Sequence, residues 1–580
     1  MRSRLFPFCA LTTALLAAAG LPPAALAQPT GDAGGSGAGG KDGAANADDT
    51  LASGKGEARS SGRRGPKGRP GVHLSPYIEA AQIVTAELSP GNEVLTYTRL
   101  AAGVDASMAG RNSAASVSLR YERYIGWGDR AGSGDVISGV ARGYTTIAPG
   151  LQVEAGALAA RSNVDANGAS GFGGVGLGGD SGRVYSIYAG PALSTHAGDV
   201  KIDANYRFGY TRVEEPDRVV VTPGGGGSFD VFDDSTIHNA NIHAGARPGD
   251  ILPVGLGLGA GYYREDVSNL DQRVQDFHAR ADVTLPVALD VALVGGVGYE
   301  DVRISSRDVL RDTQGFPVVG GDGRFVTDRS SPRAIAYDTD GIIWDAGVLW
   351  RPSSRTALEA HVGRRYGSTT YYGSFAYAPN ARSSINVAVY DNVSGFGGQV
   401  SRALADLPAE FEANRDPLTG ELVGCVSSLE QGNCLVGVLG SIRSSIFRAR
   451  GVMANYSVQL GRISAGIGAG YDRRKFIGAR GTILEASNGV IDENIWLSGY
   501  LNARLDERSS LSTNVYANWF DSGSAFGGKS TGLGATVAYG RTIADNIRAT
   551  AALGLDGVMR EAPLVDVWEA SALVGVKYSF

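Results

Sequence analysis

The residues able to do chemistry in this chain recur at alternate positions. Arg120 and Glu122 flank Tyr121, Asp203 and Arg207 bracket Asn205, Arg280 and Asp282 flank Ala281, and Glu359, Arg365 and Arg504 fall in similar alternating stretches. Side chains two apart along an extended strand share one face. A face that gathers charges must be wet or internally paired. Two uses follow: a water-filled pore whose transverse field sorts hydrophilic solutes, or salt bridges and an inserted loop that close it. We read these nine residues as pore-lining.

Other chemistries find less support. His243, His278 and His361 lie on the same polar faces, but no spacing joins one of them to a Ser nucleophile and an orienting acid, so no catalytic residue and no enzyme is expected. Gly255, Gly257, Gly259 and Gly261 could mimic a phosphate loop, yet they alternate with Val254, Leu256, Leu258, Ala260 and Tyr262 and no helix pattern follows. They read as the small inward positions of a strand, leaving lumen space or backbone room. Gly173 to Asp180 has the look of one calcium-binding glycine-aspartate repeat, whereas that fold stacks several. Acidic stretches such as Glu214, Glu215 and Asp217 or Asp230, Asp233 and Asp234 could bridge divalent ions to lipopolysaccharide or simply carry solvated charge. Cys425 and Cys434 are too few ligands for zinc and, in an exported chain, read as a local disulfide. No cofactor and no resident metal are expected.

The elements that position these residues announce themselves by period-two alternation from Tyr77 onward. Ala115, Val117, Leu119 and Tyr121 share one face while Ser116, Ser118 and Arg120 share the other. Val200, Ile202, Ala204, Tyr206, Phe208 and Tyr210 oppose Lys201, Asp203, Asn205 and Arg207. Segments of about 10 to 12 residues match a tilted strand crossing a membrane, with lipid on the apolar face and the lumen on the polar one. Aromatic residues near segment ends, Tyr121, Tyr124 and Trp127 or Trp519 and Phe520, fit interfacial girdles. Short connections such as Ala148 to Gly150 and Ala197 to Asp199 alternate with long ones such as Ser162 to Gly182, Asp301 to Gly341 and Asp391 to Ser445. The pattern predicts an all-β fold, a large antiparallel transmembrane barrel of about 22 strands (20 to 22), with short periplasmic turns and long extracellular loops.

Composition agrees. The chain has 580 residues, 84 of them glycine and 24 tyrosine, 19% charged, with a mean hydropathy of -0.07. Arg2 and Arg4, the apolar run Leu11 to Ala19 and the small residues of Ala25-Leu26-Ala27 predict a signal peptide over 1–27, cleaved near Ala27. Removing Arg2 and Arg4 leaves 51 basic against 59 acidic residues, a mature balance of -8 that argues against a nucleic-acid partner. Residues 28–76 read as a disordered periplasmic tail, with a basic cluster from Arg63 to Arg69, and 77–580 as the barrel. Within it, 391–445 reads as an insert. Ala403 to Leu407 and Glu410 to Ala413 suggest short helical pieces, and Asp416-Pro417-Leu418-Thr419-Gly420 a turn. Insertion into the lumen is preferred to an extracellular receptor loop, since Leu404, Leu407, Phe411, Val423, Leu435, Val438 and Leu439 would be poorly served by water.

The last eight residues, Leu573-Val574-Gly575-Val576-Lys577-Tyr578-Ser579-Phe580, resemble the carboxy-terminal signal of Gram-negative outer-membrane proteins. The resemblance implies that Gly575, Tyr578 and Phe580 are read by the barrel-assembly machinery; Leu573 departs from the polar residue that signal prefers. The opening strands, from "SPYIEAAQIVTAELSPGNEVLTYTRL" to "SVSLRYERY", are similar to large porin-like barrels, some associated with polysaccharide export. Chains of this layout, including something like "YDRRKF" after a late strand, are sometimes labelled preprotein translocase subunit, a label that fits a small one-helix protein better than this chain. The resemblance carries over an outer-membrane location, contacts with lipid and lipopolysaccharide and room for a homo-oligomer, but no substrate. Two functions are therefore expected in order: a porin-like channel for hydrophilic solutes or polysaccharide export, then a non-conducting surface adhesin or receptor barrel acting through its loops. A siderophore receptor suits 22 strands, but it needs a folded amino-terminal plug of over about one hundred residues, and only about 42 stand between Gln28 and Pro70.

Overall fold

Alternation with period two leaves every strand one apolar and one polar face, and a sheet of such strands has no stable edge in lipid unless it closes. In the computed structural model it closes. The structure describes residues 71–162, 182–214, 218–222, 225–229, 234–320, 324–427, 433–434, 439, 442, 444–523, 528–562 and 565–580.

The strands run β1 Gly71–Ser89, β2 Val94–Ala109, β3 Ser113–Trp127, β4 Gly134–Ala148, β5 Leu151–Ser162, β6 Gly182–Ala197 and β7 Val200–Glu214. A loop hairpin, β8 Arg218–Thr222 and β9 Gly225–Phe229, precedes β10 Asp234–Ala246, β11 Gly255–Val267, β12 Gln272–Pro286, β13 Val291–Ser306, β14 Ala334–Ser353, β15 Thr356–Arg365, β16 Ser368–Asn380 and β17 Ser383–Ser394. The insert holds helix α1 Phe396–Ala405 and three short strands, β18 Glu412–Arg415, β19 Leu422–Ser427 and β20 Asn433–Cys434. The barrel resumes with β21 Phe447–Leu460, β22 Ile463–Phe476, β23 Ile491–Arg504, β24 Ser509–Ser522, β25 Lys529–Ala544, β26 Ile547–Arg560 and β27 Val567–Ser579.

Twenty-two of these form one antiparallel sheet. It is a closed barrel because β1 pairs with both β2 and β27, the seam running from Tyr77 opposite Ser579 to Ser89 opposite Trp568. Barrel strands span 10 residues in β15 to 20 in β14, enough for a tilted crossing. Two-residue turns at 149–150, 198–199, 381–382 and 545–546 lie at the rim where β1 begins and β27 ends; the two-residue turn 366–367 lies at the other rim.

The faces follow the alternation. Leu119, Tyr121, Phe277, Leu293 and Val574 point outward and exposed, while Ser116, Ser118, Arg120, Asp276 and Asp282 are buried inside. Parity also corrects the girdle assignment: Trp127 and Trp519 lie outside, but Tyr124 and Phe520 fall on lumen-facing positions and are buried. Two long connections are shorter than expected. β13 and β14 extend so that the loop between them covers 307–333, and β17 and β21 reduce the insert to 395–446. β1 starts at Gly71, ahead of the expected Tyr77, because Gly71 to Pro76 pair with Val104 to Ala109 of β2.

Candidate functional site

The lumen is where the polar faces converge, and the insert lies inside it. Helix α1 is seated by a carboxylate of the wall: Glu265 on β11 accepts the backbone N–H groups of Gly395 at 2.6 Å and Gly398 at 2.9 Å, at the end where a helix has orphan donors and a positive dipole. The same carboxylate accepts from Ser235 Oγ at 2.8 Å and Tyr263 OH at 2.5 Å. Phe396, Val400, Leu404 and Leu407 then pack on Val140, Leu158, Val184 and Val213, all buried. This apolar patch of the inner face is what the hydrophobic residues of α1 and its C-terminal end cover.

Beyond the helix the chain turns back as a hairpin. The expected helical piece at Glu410 to Ala413 does not form: Glu410 and Phe411 are irregular and Glu412 begins β18, which pairs with β19 because the tight turn between them makes cross-strand bonding the local solution. In that turn Asp416 Oδ1 accepts from Leu418 N at 2.8 Å and Thr419 N at 3.0 Å, and Gly420 takes φ 72°. A side chain at Gly420 would also collide with Glu122 and Arg120. Burial pushes the Asp416 carboxyl above its usual range, although its acceptor bonds work the other way.

The wall grips this tip at several points. Arg99 donates to the carbonyl oxygens of Leu418 and Pro417 and pairs with Glu79 at 2.6 Å. Tyr124 OH donates to Thr419 O at 3.1 Å. Arg415 reaches from the insert to Ser138 Oγ at 2.7 Å and Ser118 Oγ at 3.1 Å. Arg161 pairs with Glu421 at 2.5 Å, and Asn502 on β23 donates to Asn414 at 3.2 Å. Leu418 is buried among Ile83, Tyr97, Ala538 and Leu573. Leu573, the apolar departure from the terminal signal, is thus an inward residue that meets the insert's tip.

On the side of β10 to β16 the side chains serve one another. Asp345 accepts from Arg280 Nη2 at 2.9 Å, His361 Nδ1 at 3.0 Å and Tyr372 OH at 3.2 Å. Glu359 lies 3.2 Å from His361 Nε2, and the His361 ring stacks on Tyr372 at 4.6 Å. Arg365 pairs with Asp276 at 2.9 Å and Glu300 at 3.4 Å, and His243 with Asp282 at 3.2 Å. Gly257 and Gly347 have no side chain because His243 and His361 lie against them.

The nine expected pore-lining residues therefore divide. Arg120 and Glu122, 2.7 Å apart, sit under the insert's turn. Arg280, Asp282, Glu359 and Arg365 belong to the self-paired wall. Arg207 pairs with Glu154 at 2.6 Å, and Asp203 with Lys201 at 3.0 Å nearer the short-turn rim. Arg504 ends β23 at that rim, exposed and apart from the others. Cys425 and Cys434 are opposite each other in the β19–β20 pairing; their side chains lie outside the described residues. Gly575 faces Ala81 across the seam, where a Cβ would press on that of Ala81. Tyr578 and Phe580 are edge-to-face at 4.9 Å, and the Phe580 N–H donates to Pro76 O at 3.1 Å. Sequence reasoning passed over Glu265 and Asp345 as site residues. The signal for Glu265 was present, since it continues the register of Gly257, Gly259 and Gly261 onto the lumen face.

No protein-family model matches the chain, and no curated protein does. Among solved structures it is similar to the FrpB iron transporter of Neisseria meningitidis in its apoprotein form, at 11% identity and a TM-score of 0.41, over 87% of this chain and 81% of that one. It is also similar to the ferric enterobactin receptor of Pseudomonas aeruginosa, at 10% identity, 87% and 81% coverage and a TM-score of 0.38. A copper transporter, OprC, follows at 12% identity, 88% and 81% coverage and a TM-score of 0.37. The closed 22-stranded barrel of this chain rests on its own strand pairing, and the cargo of those proteins is theirs.

Proposed function

We propose that the chain is a bacterial outer-membrane barrel that acts as a porin-like channel for hydrophilic solutes, held closed by its own insert. The membrane placement is supported by the outward apolar face repeated on strand after strand, which a soluble barrel would have to expose to water. The observation that carries the channel reading is the seating of α1 and the β18–β19 hairpin inside the lumen by side-chain hydrogen bonds and apolar packing rather than by strand pairing with the wall. A segment bonded to the wall by a handful of side chains can leave it, and the polar face of β10 to β16 is then a wet path. The short-turn rim is assigned to the periplasm, and Phe580 to recognition during assembly, so deleting Phe580 should lower the amount of folded barrel reaching the membrane. The register opposite Cys434 supports a disulfide to Cys425 that staples the far end of the insert.

The deciding experiment is planar-bilayer conductance of the refolded full chain beside a variant in which 395–446 is replaced by a short linker. The channel reading expects small or rare steps from the full chain and large, steady ones from the variant. Silence from both, with surface binding retained by the full chain, would favour the adhesin or receptor reading instead.

A further inference from the structure

Helix α1 carries one cation in its last turn, Arg402, half-buried, its guanidinium without a hydrogen bond or ion pair among the described residues. It lines a cavity of about 190 Å³ between the insert and the wall, and Arg280 of β12 lines the same cavity. Arg280 spends Nη2 on Asp345, but its Nε is buried with no hydrogen-bond partner. Its orientation is set by Gly296, against which the guanidinium lies so closely that any side chain there would collide.

The acids around the cavity are already engaged. Asp345 takes three donors, as above. Asp276 is held by Arg365 and by Tyr366 OH at 3.3 Å, Asp391 by Arg448 at 2.7 Å and Arg450 at 3.1 Å, and Asp282 by His243. Carboxylate capacity is therefore spent within the wall, while the guanidiniums of Arg402 and Arg280 line the same space. A half-buried guanidinium without an anion is costly, and planar donor forks match the oxygens of carboxylate and phosphate groups.

We propose that this cavity binds a small oxyanion, carboxylate or phosphate, bridging Arg402 of the insert and Arg280 of the wall. Its volume is below the roughly 300 Å³ at which drug-sized pockets begin, which selects a compact anion over an oligosaccharide. The proposal rests on the reading of the lumen as a solute path and names the class of solute that path selects. Because the site is completed by the insert, an occupant also favours the docked state by mass action.

The test is isothermal titration calorimetry of the refolded full chain in detergent at low ionic strength, with citrate and inorganic phosphate as separate titrants and choline chloride as the blank. Saturable binding of at least one anion is expected. Arg402→Gln and Arg280→Gln should each weaken it by at least about tenfold, a loss of 1.4 kcal/mol or more, while Arg508→Gln in an exposed turn leaves it unchanged. Among the described residues the Arg402 guanidinium has no hydrogen-bond or ion-pair partner to lose, so its variant keeps the test valid if Arg280→Gln fails to fold. Absence of binding to both anions, or binding by Arg402→Gln equal to wild type, overturns the proposal. Calorimetry does not need a conducting pore, so silence from both the full chain and the variant lacking 395–446, with anion binding by the full chain intact, would sink the channel reading alone.

Discussion

The wall made by β1 to β5 and the wall made by β10 to β16 are built on the same alternation and weight it differently: the second touches the insert at the start of α1, through Glu265, while the first grips its tip. On the first, the inner face offers short hydroxyls, Ser116, Ser118 and Ser138, an apolar patch at Val140 and Leu158, and beside its Arg–Glu pairs one guanidinium, Arg99, directed at backbone carbonyls of the insert. On the second, long charged and imidazole side chains pair chiefly with one another. The difference teaches how a barrel receives an insert. A face whose polar groups are short, or directed at main-chain oxygens, gains by being covered; a face of mutually satisfied charges would pay desolvation and gain little.

Removing the grip should have the largest effect. Arg99→Ala combined with Arg415→Ala strips the charged donors from Leu418, Pro417, Ser118 and Ser138, and at about 1.5–3 kcal/mol for each such bond the docked insert loses several kcal/mol. Single-channel conductance should then approach that of the insert deletion. A double variant as quiet as wild type would mean that the first wall does not hold the insert.

Leu418→Ala acts on the same contact through packing. Burial beside Tyr97 and Leu573 sets an expected cost of about 2–5 kcal/mol, which should give intermittent rather than permanent opening. Asp345→Asn tests the other wall. It removes a carboxylate that accepts three donors, so the reversal potential in a salt gradient should shift toward anions while opening frequency stays at the wild-type value. If opening frequency changes as much as with Leu418→Ala, the two walls are not separable.

The smallest effect is one of pH. Burial raises the Asp416 carboxyl in the docked insert above its value in the released one, so the docked state binds the proton more tightly. Docking is therefore strongest at acid pH, below the released value, and weakens as pH rises through the raised one. Asp416→Asn keeps an acceptor for Leu418 N and Thr419 N but has no charge to lose, and its opening frequency should be flat across that window where the wild type climbs.

Much of this was legible beforehand because a strand's period is local. Ser116, Ser118 and Arg120 had to share a face whatever the rest of the chain did. The lumen positions of His243, His278 and His361 follow from the same rule. Tyr124 and Phe520 were misassigned by proximity to strand ends, where counting alternate positions from Arg120 and Asn518 would have turned both inward. The hairpin at Glu412 to Arg415 was harder, since four polar and small residues carry no strong period of their own and were settled by their partners in β19.

The sequence by itself determined a closed, lipid-facing antiparallel barrel and a turn at Asp416 to Gly420, because both depend on alternation and turn chemistry within a few residues. Only the tertiary structure decided which arc of the barrel the insert leans on, that Glu265 receives the start of α1, and that Arg280 and Arg402 face one cavity. Those relations join residues more than a hundred positions apart, and no local period connects them; they exist only once closure of the sheet has set the inner faces opposite one another.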